Sequence, residues 1–134
     1  MPEKRTLERA RKDKREGKAP TTQAGEFVRE EIDHIRAGKH GARSTKQAIA
    51  IGLSKARRAG VKLAPPKKGS TSAATRKKAA QDSKAGQSPR KHKPSAKRSR
   101  ATTKALKREG HSAASKKALS KQAKSAARKR QLSK

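Results

Sequence analysis

The sequence lacks cysteine, tryptophan and tyrosine, and it has one phenylalanine and one methionine in 134 residues. Without cysteine the chain forms neither a disulfide nor a thiolate metal site. No apolar run approaches the roughly 20 residues that a membrane-spanning helix needs. The N-terminal segment also lacks the apolar centre of a signal peptide. These absences predict a soluble protein of the cell interior.

Acidic residues nearly disappear after the first quarter of the chain. Residues 1–33 hold eight carboxylates and nine Lys or Arg, whereas residues 34–134 hold only Asp82 and Glu109 against 31 Lys or Arg. The formal net charge is +30, and 28% of the residues are hydrophobic. So few apolar side chains cannot offset the entropy of ordering the whole chain. We therefore expect extensive disorder and a polyanionic partner.

The stretch from Gly25 to Leu63 contains the only phenylalanine and every isoleucine. Its apolar residues recur at helical spacing, first on a stripe that includes Phe27 and Ile35. The prediction is a mostly α-helical protein with extensive disorder and a short central helical hairpin. Its segments are a charged N-terminal helical arm over 1–18, a central two-helix unit over 21–64 (helices at about 22–37 and 45–59), a disordered basic linker over 65–100, and a basic Ala/Lys-rich tail over 101–134, partly helical near the C-terminus.

Local signals set the ends of these helices. Thr6 is expected to cap the N-terminal arm, which has little to dock it and should fray. Ser44 followed by Gln47 fits a capping box at the start of the second central helix, and Gly60 fits its stop. Ile51 lies outside the apolar arc of that helix, so it is exposed or forms a dimer or partner contact.

A triplet of helix end, glycine and new hydroxyl cap recurs along the chain. Arg36-Ala37-Gly38 leads to Thr45, and Arg108-Glu109-Gly110 leads to Ser115. Such signals recur by chance in helical chains. The alternative is a repeated unit that presents basic faces.

Catalysis is not expected, because the apolar content is too small to enclose a water-poor pocket. His34, His40, His92 and His111 are scattered, and surrounding positive charge opposes a cation. We predict no enzyme, no cofactor and no metal site. The Gly38–Gly41 turn is either a flexible connection or a single phosphate site with Lys39, Arg43 and Lys46 around it.

Nucleic-acid binding is the strongest signal, because each phosphate neutralised by Lys or Arg releases counterions. Backbone contacts of this kind give affinity without base choice, and the scarcity of aromatic residues favours duplex DNA over stacked single strands. The predicted contact residues are Lys39, Arg43, Lys46, Lys55, Arg57, Arg58, Arg90, Lys91, Lys97, Arg98, Arg100, Lys116, Lys117, Arg128, Lys129 and Arg130.

Two features hint at more specific recognition. Ser88-Pro89-Arg90-Lys91 resembles the SPKK-type motif of linker-histone tails, which favours narrow A·T-rich minor grooves. The central helical pair also invites comparison with a helix-turn-helix. Its second helix would then read bases with an exposed face consisting of Lys46, Gln47, Ser54, Arg57 and Arg58.

The run GEFVREEIDHIRAGKHGARSTKQAIAIGLSKARRAG, with RTLERARKDKREGK before it, resembles a family of small basic bacterial proteins. The domain of that family is of unknown function, and its members are often labelled DNA-binding. The late stretch ALKREGHSAASKKALSKQAKSAARKR is similar to the tails of the same family. The resemblance implies a bacterial source, and hence the cytoplasm and nucleoid. In composition the tail also resembles linker histones.

Three functions remain open from the residues. The first is largely sequence-independent binding of duplex DNA by a histone-like, nucleoid-associated protein, with a possible homodimer through the central helices. The second is association with RNA or the ribosome, whose phosphates attract the same charges. The third is a protein-interaction module that uses the central helical pair. No membrane partner is expected.

Overall fold

The computed structural model describes residues 2–69, 71–88 and 95–132. These residues form six α-helices and one 3-10 turn at Ser112–Ala114, and within the described part no strand occurs. The helices are α1 Lys4–Arg15, α2 Pro20–Arg36, α3 Thr45–Arg58, α4 Ala73–Gln87, α5 Ala96–Lys107 and α6 Lys116–Leu132. The prediction of a mostly α-helical protein is confirmed. None of the described helices combines the length and apolarity needed to cross a bilayer.

The described residues fall into two compact units. The first unit takes its residues from Met1–Glu30 and Ala50–Lys93, and the second from Glu31–Ile49 and Pro94–Lys134. Helices α2 and α3 each supply residues to both units. The segment boundaries predicted from sequence at residues 18, 64 and 100 stay predictions.

A small core built largely from alanine holds the first unit together. Phe27 is fully buried in a cluster whose other buried members are Ala10, Ala24, Ala56 and Val61, with Leu7, Leu53 and Leu63 packed against it. Helix α3 comes very close to α2 here: a Cβ at Gly52 would lie 2.6 Å from the Cα of Val28. Only glycine allows this approach, so tight backbone contact replaces large side chains.

Helix α1 is docked rather than fraying, which differs from the expectation. Thr6 does not cap it; the helix begins at Lys4 after Glu3, and Thr6 is buried. The Thr6 Oγ1 donates to Glu30 Oε1 at 3.1 Å, and the Glu3 backbone N–H donates to the same oxygen at 2.5 Å. Arg9 pairs with Glu26 at 2.8 Å. Polar contacts with α2 therefore hold α1 in place, which its few apolar residues alone would not do.

Helix α4 lies inside the segment 65–100 that was predicted to be a disordered linker, and this is a correction. Ser72 caps the helix by accepting from the Thr75 N–H at 3.2 Å. Its residues Ala79, Asp82 and Gly86 are buried. The backbone of Gly86 approaches the Arg57 carbonyl so closely that any Cβ would collide with that oxygen. The prediction of disorder rested on the lack of large apolar residues, whereas small residues and one buried carboxylate pack this helix.

Hydrogen bonds between two helix connections organise the second unit. The Gly41 N–H donates to the Leu106 carbonyl at 2.8 Å, and the Ala42 N–H donates to the Gly110 carbonyl at 3.0 Å. Thr45 Oγ1 donates to the Ala113 carbonyl at 2.6 Å. The connection before α3 and the connection before α6 thus lie against each other. These are two of the recurring glycine-and-cap triplets, so the recurrence has a structural use.

Candidate nucleic-acid interface

Most carboxylates of the first unit are engaged within the protein. Glu26 and Glu30 of α2 both contact α1. The Lys18 ammonium lies 3.1 Å from Glu16 and 3.3 Å from Asp13. The hydrogen bonds that Lys18 donates to these carboxylates, first to Glu16 and then to Asp13, raise the pKa of Lys18. These acidic groups therefore neutralise their own neighbours within the first unit.

Asp82 is the most heavily engaged carboxylate. It accepts from Ser54 Oγ at 2.7 Å, from Arg58 Nε at 2.9 Å and from Lys78 Nζ at 2.9 Å. Burial alone would raise the pKa of Asp82, but the hydrogen bonds from Lys78, Arg58 and Ser54 outweigh it and lower that pKa. The carboxylate stays ionised and ties α4 to α3.

Two predicted contact residues of α3 are taken up by these internal bonds. Arg57 is only 7% exposed, and its Nη2 donates to the Ala64 carbonyl at 2.9 Å. Burial lowers the pKa of Arg57. Arg58 is exposed at its end but pairs with Asp82. Arg57 is therefore not placed to bind phosphate, Arg58 would have to leave a buried carboxylate to do so, and Lys55 is half-buried.

Most of the residues that would read bases in a helix-turn-helix make contacts within the protein instead. Ser54 donates to Asp82, and Gln47 Oε1 accepts from the Arg43 N–H at 2.6 Å. Together with Arg57 and Arg58, four of the five proposed reading residues make internal contacts. Lys46 is the remaining one, and it is exposed.

The predicted capping box at α3 is half confirmed. The Gln47 N–H donates to Ser44 Oγ at 3.1 Å, as expected, but the Gln47 side chain accepts from Arg43 instead of Ser44. The amides of Gly41 and Ala42 are also used. Four backbone N–H groups at the turn and the start of α3 therefore donate within the protein, and they are not available to bind a phosphate there. Lys39 and Arg43 are nonetheless exposed.

Helix α5 presents its basic residues to solvent. It contains five Lys or Arg, no acidic residue and no buried residue. Lys97, Arg100, Lys104 and Lys107 recur at i, i+3, i+7 and i+10, which places them on one side of the helix. Arg98 lies on another side. All five are exposed.

Helix α6 carries a basic stripe with greater regularity. Its members are Lys117, Lys121, Lys124 and Arg128, at i, i+4, i+7 and i+11, and all are exposed. We call these four residues the α6 stripe. Half-buried Leu119, Gln122 and Ala126 lie on the opposite side. The α6 stripe spans about 16 Å at 1.5 Å per residue.

The contact residues predicted in α6 lie at its two ends, and all five are exposed: Lys116, Lys117, Arg128, Lys129 and Arg130. Lys121 and Lys124 of α6 and Lys104 and Lys107 of α5 were not among the predicted contacts. The 3.6-residue period of the basic residues was the signal that would have found them.

Other predicted contacts have different outcomes. Arg90 and Lys91 of the SPKK-like motif lie outside the described residues. Ile51 is half-buried in the first unit, and its role as a dimer or partner contact stays a prediction.

Comparison with known proteins identifies one domain. Residues 4–68, which include α1 to α3, match the profile of a family of unknown function, DUF6496. No curated protein and no solved structure matches the chain. A domain of unknown function at this position agrees with the sequence resemblance, and the fold and charge of the molecule carry the functional argument.

Proposed function

We propose that this protein is a non-enzymatic binder of duplex DNA that contacts the phosphate backbone through α5 and α6. The observation that carries the proposal is the charge of these two helices. Five of 12 residues in α5 and seven of 17 in α6 are Lys or Arg, and neither helix contains an acidic residue. The only glutamate between them, Glu109, lies in the connection.

The energetics of α6 favour an anionic partner. Two pairs of like charges lie four residues apart in α6: Lys117 with Lys121, and Lys124 with Arg128. Each residue pair destabilises the helix by some tenths of a kcal/mol. Lys116 and Lys117 also occupy the first turn, where the helix dipole disfavours positive charge. Bound phosphates would relieve both penalties, so binding and helix stability are coupled.

The lack of exposed aromatic side chains among the described residues favours duplex DNA over single strands. Stacking of unpaired bases requires aromatic platforms, and the single Phe27 is fully buried. Duplex DNA offers about one negative charge per 1.7 Å of axis, so the α6 stripe can meet several phosphates at once. Backbone contact without base reading fits a histone-like protein of the bacterial nucleoid, which is the location the family resemblance implies.

The test is fluorescence anisotropy of the full-length protein on a labelled duplex at a series of salt concentrations. If six to ten phosphates are engaged, affinity should fall about 10³–10⁵-fold between 50 and 200 mM salt. Scrambling the duplex sequence should leave affinity unchanged. A flat salt response would contradict the proposal.

Competition separates DNA from the second candidate, RNA. Unlabelled duplex DNA, duplex RNA and single-stranded DNA of equal phosphate number compete with the labelled duplex. We expect duplex DNA to compete best and single strands worst. Stronger competition by duplex RNA would move the function to RNA or the ribosome.

A further inference from the structure

Three potential metal ligands meet at the end of α2. Glu31 and His34 lie one helical turn apart, and His40 comes from the connection that follows the helix. One ligand atom from each of the three lies within 4.8 Å of the other two. These histidines are scattered in the sequence, but folding brings two of them beside the buried Glu31 carboxylate.

The two ring nitrogens of His40 have different partners. Its Nδ1 lies 2.9 Å from the Gly41 carbonyl oxygen. A carbonyl only accepts, so Nδ1 carries the proton and donates it. The other ring nitrogen, Nε2, then faces Glu31 Oε2 at 3.2 Å. In that tautomer the Nε2 lone pair points toward the Glu31 carboxylate, and a metal ion held by both atoms would relieve their opposition.

A metal ion satisfies this arrangement. Tetrahedral Zn²⁺ with bonds of about 2.0–2.2 Å to nitrogen and oxygen separates its ligand atoms by about 3.3–3.5 Å. The observed Nε2 to Oε2 separation of 3.2 Å is close to that value. A backbone carbonyl that accepts from the second ring nitrogen is also the usual outer support of a ligating histidine.

Burial and local charge agree with a bound cation. The Glu31 side chain is 1% exposed and that of His40 is 13% exposed, so an ion held by both would be largely shielded from water. The strongly basic character of the chain does not extend to this segment. Residues 31–40 contain two carboxylates, Glu31 and Asp33, against Arg36 and Lys39. Arg36 donates through Nε to the Ala114 carbonyl at 2.9 Å.

We propose that Glu31, His34 and His40 form a site for one first-row divalent transition ion, with Zn²⁺ the best fit to the two imidazoles and one carboxylate. Water would complete the coordination. The ion would pin the end of α2 to the connection before α3. This site is independent of the DNA-binding proposal.

The experiment uses full-length, nucleic-acid-free protein without a histidine tag. Zn²⁺ is titrated by calorimetry, and Co²⁺ is titrated by visible absorption. We expect one Zn²⁺ per chain, the intense absorption bands of tetrahedral Co²⁺, their loss on adding Zn²⁺, and no displacement by Mg²⁺, which prefers oxygen ligands.

Variants assign the ligands. His34→Gln and His40→Gln, at half-buried positions, should each weaken Zn²⁺ binding by about tenfold or more. The matched controls His111→Gln and Glu109→Gln should leave it within about twofold. Circular dichroism of each variant confirms that it is folded, and Co²⁺ spectra of the folded variants should lose their tetrahedral character.

Four results would overturn the site: no saturable binding, an octahedral Co²⁺ spectrum in the parent protein, unchanged affinity in both His34→Gln and His40→Gln, or an equal loss in His111→Gln. Absence of binding would mean that His40 and Glu31 contact each other directly, with no metal. None of these four results bears on the salt dependence of DNA binding.

Discussion

Helices α4 and α6 are built from the same few residue types, yet they have different surroundings. Helix α4 buries three residues, Ala79, Asp82 and Gly86, while α6 buries none. Helix α4 has one carboxylate among its lysines and arginines, and α6 has no carboxylate. The comparison teaches that one buried acid and one glycine convert a cationic helix into a structural element. Without them, α6 leaves its basic side chains exposed to solvent.

The largest expected effect comes from neutralising the α6 stripe. Changing Lys117, Lys121, Lys124 and Arg128 to Gln should lower the affinity for duplex DNA about 10²–10³-fold at 0.1 M salt and reduce the salt slope by about 3 to 4, since each lost phosphate contact removes roughly 0.9. Fluorescence anisotropy measures both quantities.

The matched control for that variant removes four exposed charges from α1, by changing Lys4, Arg5, Arg11 and Lys14 to Gln. It has the same net charge and should lose less than about tenfold in affinity, because these residues are not assigned to the interface. Equal losses in the two variants would show that only total charge matters.

Asp82→Asn tests the structural side of the comparison. It removes a buried carboxylate that accepts from Ser54, Arg58 and Lys78. Docking of α4 should weaken by roughly 2–4 kcal/mol. Hydrogen exchange of the α4 amides measures this loss. Glu8→Gln, at an exposed position on α1, is the charge-matched control and should have no such effect; undiminished protection in Asp82→Asn would refute the role of the carboxylate.

Acid should produce a smaller version of the same loss. The pKa of Asp82 is lower in the folded protein than in the unfolded chain, so the unfolded chain binds the proton more readily. Its contribution to stability is therefore complete above the ordinary carboxyl pKa of about 4 and falls as the pH drops through the lower folded value. Amide exchange of α4 measured against pH should show this decline, and Asp82→Asn should lack it.

The smallest effect is expected from giving α6 an acid. Ser120→Glu places a carboxylate four residues from both Lys116 and Lys124, and each pair should stabilise the free helix by about 0.3–0.5 kcal/mol. Circular dichroism at low salt should show more helix than in Ser120→Gln, the uncharged control. Identical helicity in the two variants would mean that charge repulsion does not limit α6.

The helical class and the central pair were predictable from the sequence because their large apolar residues recur at helical spacing. Helix α3, for example, ends at Arg58 where Gly60 predicted a stop near residue 59. The glycine there has a φ of 101°, in the left-handed region that favours glycine.

Helix α4 and the burial of Arg57 were not predictable in the same way. Both depend on contacts outside the helix concerned: Asp82 of α4 accepts from Arg58 of α3, and Arg57 donates to the Ala64 carbonyl beyond the end of α3. Composition counts charges without recording which ones are paired. The Glu31–His40 pair was missed for a similar reason, since nine residues separate members that only the fold brings together.

The basic interface shows how pattern and composition differ in value. Charge density alone predicted a cationic tail and selected the clustered ends of α6. The period of the basic residues defines the α6 stripe and adds Lys121 and Lys124 to it. That period is present in the sequence, but it places the basic residues on one side only if the segment is a helix.

Hydrogen exchange of the full-length protein with and without duplex DNA tests the central claim most directly. The account predicts that DNA raises protection of the α5 and α6 amides strongly and leaves that of α4 nearly unchanged. Equal protection of all three helices, or protection confined to α4, would contradict the division between a structural helix and a DNA-binding pair.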